Sequence, residues 1–397
     1  MKKRILIFLL FGFILGLWGC SSHSTVIHNA DNISNSPVSD IRSGLLTQGT
    51  TSLCNGFETT DTGIYFLVGM DYGTFLMYSD HTSDTAIKLC GRVDCKHSDN
   101  SCNAFFPYAE NICYYDGHLY IETGFGANVT ITRLDLDGTN RIKVMDTSYL
   151  AGDYRGSNGV YITNGICVFS LFKLDADGKE VSDQYYWKLD GSMEQAERTP
   201  ELIMFYSDGA ELLMKGKSNS DSMSSNGLYL WDIDTNTSHY LTDLPTSNPG
   251  YWGTEAGYYV QDGVIYKKTY FDNSIEKVFD TKLQGDFQFH GFPDCIMLSE
   301  FIPWEDQDHQ ILSEQTLRFY SWDYDFLGEV KLDYPVFGTI DYMNTVCGET
   351  ADRIYFAAHF YGVPEFYINK SDLSTGNIQV HRLKLPEDVS AYYHSWE

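Results

Sequence analysis

A chain of 397 residues is long enough to bury a large core, and 29 Tyr, 24 Phe and 34 Gly favour many short strands joined by turns over long helices. Its 54 acidic against 27 basic residues give a net charge of −27, which excludes the basic footprint that a nucleic-acid partner requires. The same acidity repels anionic polymers at long range.

Residues 1–20 read as a secretory leader. Lys2-Lys3-Arg4 is a basic start, and the apolar run Ile5–Gly19 is too short for an easy membrane span. The run ends Leu17-Trp18-Gly19-Cys20, which resembles a bacterial lipobox, with Leu at −3, Gly at −1 and a bulkier Trp18 at −2. The resemblance implies that Cys20 is lipidated and becomes the mature N-terminus. Residues 21–50, rich in Ser and Asn, then serve as a tether, and the lipid anchor is the expected membrane contact at the outer face of the cytoplasmic membrane.

Residues 51–397 read as one β domain built from a repeat. Its clearest copy spans residues 111–145, with two hairpins turning at Asp116-Gly117 and Asp137-Gly138. Asp-Gly between apolar alternations favours a tight turn because such turns need positive φ. Related turns fall at Gly63, Asn164-Gly165 with Asp190-Gly191, Asp208-Gly209, Asp262-Gly263, Pro293-Asp294 and Ala351-Asp352, a spacing of about 48 residues. Four-stranded units at that period predict an all-β propeller of seven blades, with six or eight as alternatives because the fifth unit is weak. Residues 41–53 are expected to close the ring beside the last blade.

The tight turns join the first strand to the second and the third to the fourth, on one face of the disc. The other face takes the long connections, expected at Lys173–Asp183, Gly216–Asn226, Ile302–Gln315 and, between the first two blades, Gly91–Phe106. Long irregular loops are where function concentrates, so this face is the expected functional one.

The most specific local signal is Cys90-Gly-Arg-Val-Asp-Cys95-Lys-His97-Ser-Asp-Asn-Ser-Cys102. Three thiols and an imidazole in so short a stretch suit a tetrahedral zinc site on Cys90, Cys95, His97 and Cys102. A disulfide pinning the loop, or reduced structural thiols, are the other readings. Cys113, Cys167 and Cys295 lie in strand-like runs and read equally well as buried free thiols. This Cys-rich loop after a first blade resembles one in uncharacterised propeller lipoproteins of Gram-positive anaerobes, and the Tyr-rich repeats with Asp-Gly turns are similar to TolB-like propellers. The resemblance implies a fold and a location but no activity.

Further candidates are Trp304, Glu305, Asp306, Asp308 and His309, which join an aromatic, three carboxylates and an imidazole. Trp304 suits stacking on a sugar, and the carboxylates suit hydroxyl or Ca²⁺ binding, or an acid–base pair for glycoside cleavage. Arg155, a rare cation, and Trp252 sit in stretches read as blade-to-blade connections and suit a carboxylate or ring ligand. Asp135-x-Asp137-Gly138 and Asp175-x-Asp177-Gly178 read as turns. The expectation is a monomeric, lipid-anchored binding or interaction module for a carbohydrate, peptide or partner protein. The alternative is a surface glycan hydrolase or lyase.

Overall fold

The computed structural model describes residues 56–394, apart from 125, 151, 153, 164, 201, 209–210, 217–226, 244–250, 253–255, 262, 271, 273, 284–285, 293, 306–310, 333–335, 338–344 and 358–362. The described strands form seven antiparallel sheets, each a meander of four strands in chain order. The first contains Phe57–Thr59, Gly63–Met70, Gly73–Asp80 and Ile87–Lys88, with Phe105–Phe106 also paired to its third strand. The second contains Ile112–Tyr115, His118–Glu122, Thr130–Leu134 and Ile142–Asp146. The third contains Gly156–Thr163, Ile166–Leu174, Glu180–Lys188 and Glu197–Arg198, and the fourth Leu202–Asp208, Glu211–Gly216, Gly227–Asp232 and Thr237–Asp243. Tyr251–Trp252, Ala256–Gln261, Val264–Thr269 and Ile275–Asp280 form the fifth. The sixth holds Asp286–Gly291, Ile296–Glu305, Ile311–Tyr320 and Phe326–Lys331, with Val336–Phe337 added to its third strand. The seventh holds Thr345–Glu349, Arg353–Ala357, Phe366–Asn369 and Val380–Arg382, and is followed by a helix at Glu387–His394.

The strand sequences explain the stacking. Successive side chains of a strand point to opposite faces. In Gly63–Met70, Ile64, Phe66 and Val68 pack on the seventh sheet, while Tyr65 and Leu67 pack on the second. The same division recurs in the third sheet, where Cys167, Phe169 and Leu171 face the second and Ile166 and Val168 face the fourth. In the seventh, Ile354 and Phe356 face the sixth while Tyr355 and Ala357 face the first. Inner strands are therefore apolar on both faces, and among the described residues apolar clusters join the fifth sheet to the sixth, the sixth to the seventh, the seventh to the first, and each of the first three to the next. The chain is a β-propeller. The first strands of the seventh, first, second and third sheets lie against one another in turn, as do those of the fifth and sixth, which puts them at the hub.

The turn chemistry agrees with the sequence. Asp116 (φ 47°) and Gly117 (φ 77°) both take positive φ, as the two-residue hairpin requires. The Asp175 carboxylate accepts from the N–H groups of Asp177 and Lys179, so that stretch is a turn. Cys167 and Cys295 are buried thiols outside any disulfide, and Cys347 is buried as well.

Three expectations change. Lys173–Asp183 is not a loop: Ile166–Leu174 and Glu180–Lys188 pair along their whole length and turn only between them. Likewise Ile296–Glu305 pairs with Ile311–Tyr320 throughout, so residues 302–305 and 311–315 are strand. Tyr251–Trp252 is the short first strand of the fifth sheet rather than a blade-to-blade connection. The proposed closing segment 41–53 and the stretch 217–226 lie outside the described residues.

Trp231, fully buried, meets Tyr186 edge-on at 5.3 Å between the third and fourth sheets and donates to Asn236 Oδ1 at 3.1 Å. Trp231→Ala is expected to lower unfolding stability by about 3–5 kcal/mol, read from the denaturant midpoint at constant slope.

Candidate metal centre

The Cys-rich stretch lies inside a strand and not, as the sequence suggested, in a connection between blades. Ile87–Lys88 and Phe105–Phe106 pair in register with the same strand, Gly73–Asp80, as two halves of one outer strand. The chain leaves the ladder at Leu89, whose N–H donates to Leu76 O at 2.9 Å. It returns at Ala104, whose carbonyl accepts from the Leu76 N–H at 2.8 Å. Everything from Cys90 to Asn103 is looped out between two residues that share one partner.

The excursion folds its four donor side chains together. One donor atom each from Cys90, Cys95, His97 and Cys102 lies within 4.8 Å of all the others. The Cys102 sulfur is buried, and His97 Nδ1 stands 3.2 Å from it. His97 adopts φ 50°, which non-glycine residues seldom take. Short local bonds hold the loop: Cys95 N–H to Arg92 O, Cys102 N–H to Asp99 O, and the Arg92 guanidinium to Ser101 O at 2.8 Å. From just ahead of the strand Ile142–Asp146, Arg141 donates to the carbonyls of Phe105 (3.0 Å), Cys102 (3.2 Å) and Asn103, and its guanidinium lies 3.9 Å from the Phe106 ring centre.

The electrostatics suit metal ligation. Burial opposes ionisation of Cys90, but the N–H groups of Arg92 and Asn103 and the neighbouring thiols of Cys95 and Cys102 outweigh it, and its pKa falls below the usual thiol value. Burial pushes Cys102 up to about 11, although the Ala104 N–H favours its thiolate. Burial and the Lys88 ammonium lower the His97 pKa, which keeps the imidazole neutral, the form that ligates. Three sulfurs and one nitrogen make a complete tetrahedral set with no position left for substrate, so these residues can hold a metal ion in a closed, structural site.

The other sequence candidates do not join this site. Arg155 is exposed, and its N–H donates to Phe172 O at 2.8 Å as the chain enters the third sheet. Trp252 belongs to the short strand already described, and Trp304 and Glu305 end the strand Ile296–Glu305. Asp306, Asp308, His309 and Cys20 lie outside the described residues.

Two polar groupings were missed by sequence reading. Tyr154 OH and Lys173 Nζ donate to Asp183 Oδ2 at 2.6 and 3.1 Å, and Arg198 joins them at 3.0 Å. They brace the base of the ribbon at Lys173–Asp183. Their partners are distant in sequence, and no local spacing marks them. The second is a pair of acids, Glu122 buried and Glu58 half-buried. Glu122 accepts from Asn111 and from Ser157 Oγ at 3.2 Å. Glu58, on the innermost strand of the first sheet, accepts from the N–H groups of Thr59 and Tyr114.

No protein-family model matches the chain, and no curated protein matches it. Several solved structures are similar to it at low identity. An uncharacterized Listeria monocytogenes protein is 11% identical with a TM-score of 0.42, over 69% of this chain and 84% of that one. The β-propeller domain of the Trilobed protease from Pyrococcus furiosus is 16% identical with a TM-score of 0.40, over 70% and 84%. The Neurospora crassa Pan2 WD40 domain is 12% identical with a TM-score of 0.39, over 70% and 80%.

These two acids set a pH dependence. Burial raises Glu58 from its ordinary 4.5 to about 8, against the hydrogen bonds that favour its carboxylate, and raises Glu122 to about 7. Between those limits the folded chain holds protons that the unfolded chain has released, so stability falls as pH rises from about 4.5 to about 8. Glu58→Gln should flatten this decline by an amount on the order of a few kcal/mol, read from denaturation midpoints at several pH values across that window.

Proposed function

We propose that this protein is an extracytoplasmic, lipid-anchored propeller that binds a carbohydrate, peptide or protein, with Zn²⁺ as the structural ion of the Cys90, Cys95, His97 and Cys102 site. The observation that carries the binding reading is the pair of hairpin ribbons. The strands Ile166–Leu174 and Ile296–Glu305, nine and ten residues long, outrun their sheets. Among the described residues, Lys173 and Leu174 pair only with Val181 and Glu180, since Gly156–Thr163 stops opposite Phe172. In the sixth sheet Asp286–Gly291 reaches only Phe301, leaving Ile302–Glu305 with one strand partner. Both ribbons join second to third strands, so both rise from the same disc face. Val336–Phe337 covers the far edge of the sixth-sheet ribbon at Leu312 and Ser313, while its Ile302–Glu305 side has no second strand partner among the described residues. Short ribbons with an uncovered edge are natural docking elements. Trp304 and Glu305 lie on one of them. Zinc is favoured by the donor set, since thiolate with imidazole in a closed tetrahedral group suits that ion better than oxygen-seeking cations.

The leader and lipobox-like residues support the anchor. Cys20→Ala is expected to move the chain from the membrane fraction to the soluble one, with loss of the lipid mass at the N-terminus. For the binding role, the full chain should retain a ligand on an array of envelope glycans and peptides without consuming it. Trp304→Ala should weaken that binding tenfold or more by titration calorimetry. Turnover of a glycan, abolished by Glu305→Gln, would identify a hydrolase or lyase instead.

A further inference from the structure

The metal site lies at a special place in the ring. Six of the junctions between neighbouring sheets are crossed by the chain itself, because sheets follow one another in sequence. The first and seventh sheets are neighbours in space but not in sequence. Among the described residues, they share no mixed sheet: each takes all its strands from its own end of the chain. Their junction is held by side-chain packing and a few backbone bonds. Thr85 and Lys384 make an isolated parallel bridge, with Ala86 N–H to Lys384 O at 2.8 Å and Lys384 N–H to Asp84 O at 2.7 Å. Arg353 donates to Ser83 O at 2.5 Å, and Tyr392 OH to Asp71 Oδ1 at 3.0 Å.

The Cys loop belongs to this junction. One continuous apolar cluster contains Cys102, Ala104 and Phe105 from the loop and its return, Tyr367 from the seventh sheet, Leu383 just beyond it, and Val389 from the C-terminal helix. Cys90 and Cys95 pack against the same cluster, as does Leu385. The loop's base carries Lys88, which lies 4.5 Å from the Phe75 ring centre and pairs with Asp388 of that helix at 2.5 Å. Lys88 and Asp388 are the charges that act on His97.

We propose that metal occupancy latches the ring. Resting on the zinc reading above, the ion fixes Cys90, Cys95, His97 and Cys102 as one rigid unit, and that unit holds the first sheet against the seventh sheet and the helix Glu387–His394. The metal-free loop keeps only its short local bonds and the Arg141 clamp. Its thiols then pack loosely on a joint that, among the described residues, no continuous ladder spans. A thiophilic divalent ion thereby controls how firmly the propeller is closed.

Hydrogen exchange on the full chain, with its native metal and after removal by chelator, tests this. Removing one equivalent of zinc is expected to speed exchange tenfold or more in peptides covering 57–70, 380–385 and 387–394. Peptides from the fifth sheet, 256–269, should not change. Coupling must also run in reverse. Asp388→Asn, which weakens the helix–loop contact from the far side, is expected to lower zinc affinity about three- to tenfold in a chelator competition. Stoichiometric zinc whose removal leaves exchange at the junction unchanged would overturn the latch and leave the zinc site standing. A chain that takes up no zinc, or none that His97→Ala removes, would overturn both.

Discussion

An inner strand with large apolar side chains on both faces cannot be left at the edge of anything. Ile64, Phe66 and Val68 on one side and Tyr65 and Leu67 on the other each need a covering sheet. The requirement passes from sheet to sheet, and a linear stack would leave two apolar faces in water at its ends. Each such residue contributes about 1.5–3 kcal/mol when buried, so an open end of several of them offsets most of a domain's net stability. The circle is the arrangement in which every sheet has two neighbours, and the rest of the architecture follows from having to close it.

Closure is also where the topology offers least help. Elsewhere a connecting segment keeps adjacent sheets at high effective concentration, while the two ends must find one another across the whole sequence. The structure concentrates unusual chemistry at that joint: the parallel bridge of Thr85 and Lys384, the ion pair of Lys88 and Asp388, a helix laid over the seam, and the donor cluster. A loop whose four donors can close on one ion is a means of adding rigidity without further apolar area, which matters where the outer strand is only two residues long on either side of the excursion.

Much of this was legible in the sequence. The second sheet follows its Asp-Gly turns almost residue for residue, because positive φ at Asp116 and Gly117 leaves the flanking strands little choice of register. The four donors were legible too, since they lie close together along the chain. What hid was the context of each. Lys173–Asp183 reads as a loop because its residues are polar on both faces, but a ribbon standing clear of the disc has two wet faces and no need of apolar alternation. The strands flanking the donors are too short to show a period, so the excursion passed for a connection. Arg141, and Asp388 through Lys88 at the loop's base, come from other elements, and only the folded chain brings them there.

In an ordinary antiparallel pair one residue supplies both the donor and the acceptor for the residue opposite. Here Leu76 gives its carbonyl to Leu89 and its N–H to Ala104, so the whole cassette of four donor residues occupies the place of one residue. Such an insertion disturbs no register on either side. The cassette is thus separable from the propeller in a genetic sense: it can be gained, lost or exchanged at that point by a single in-frame event, and the sheet that carries it would keep the same pairing.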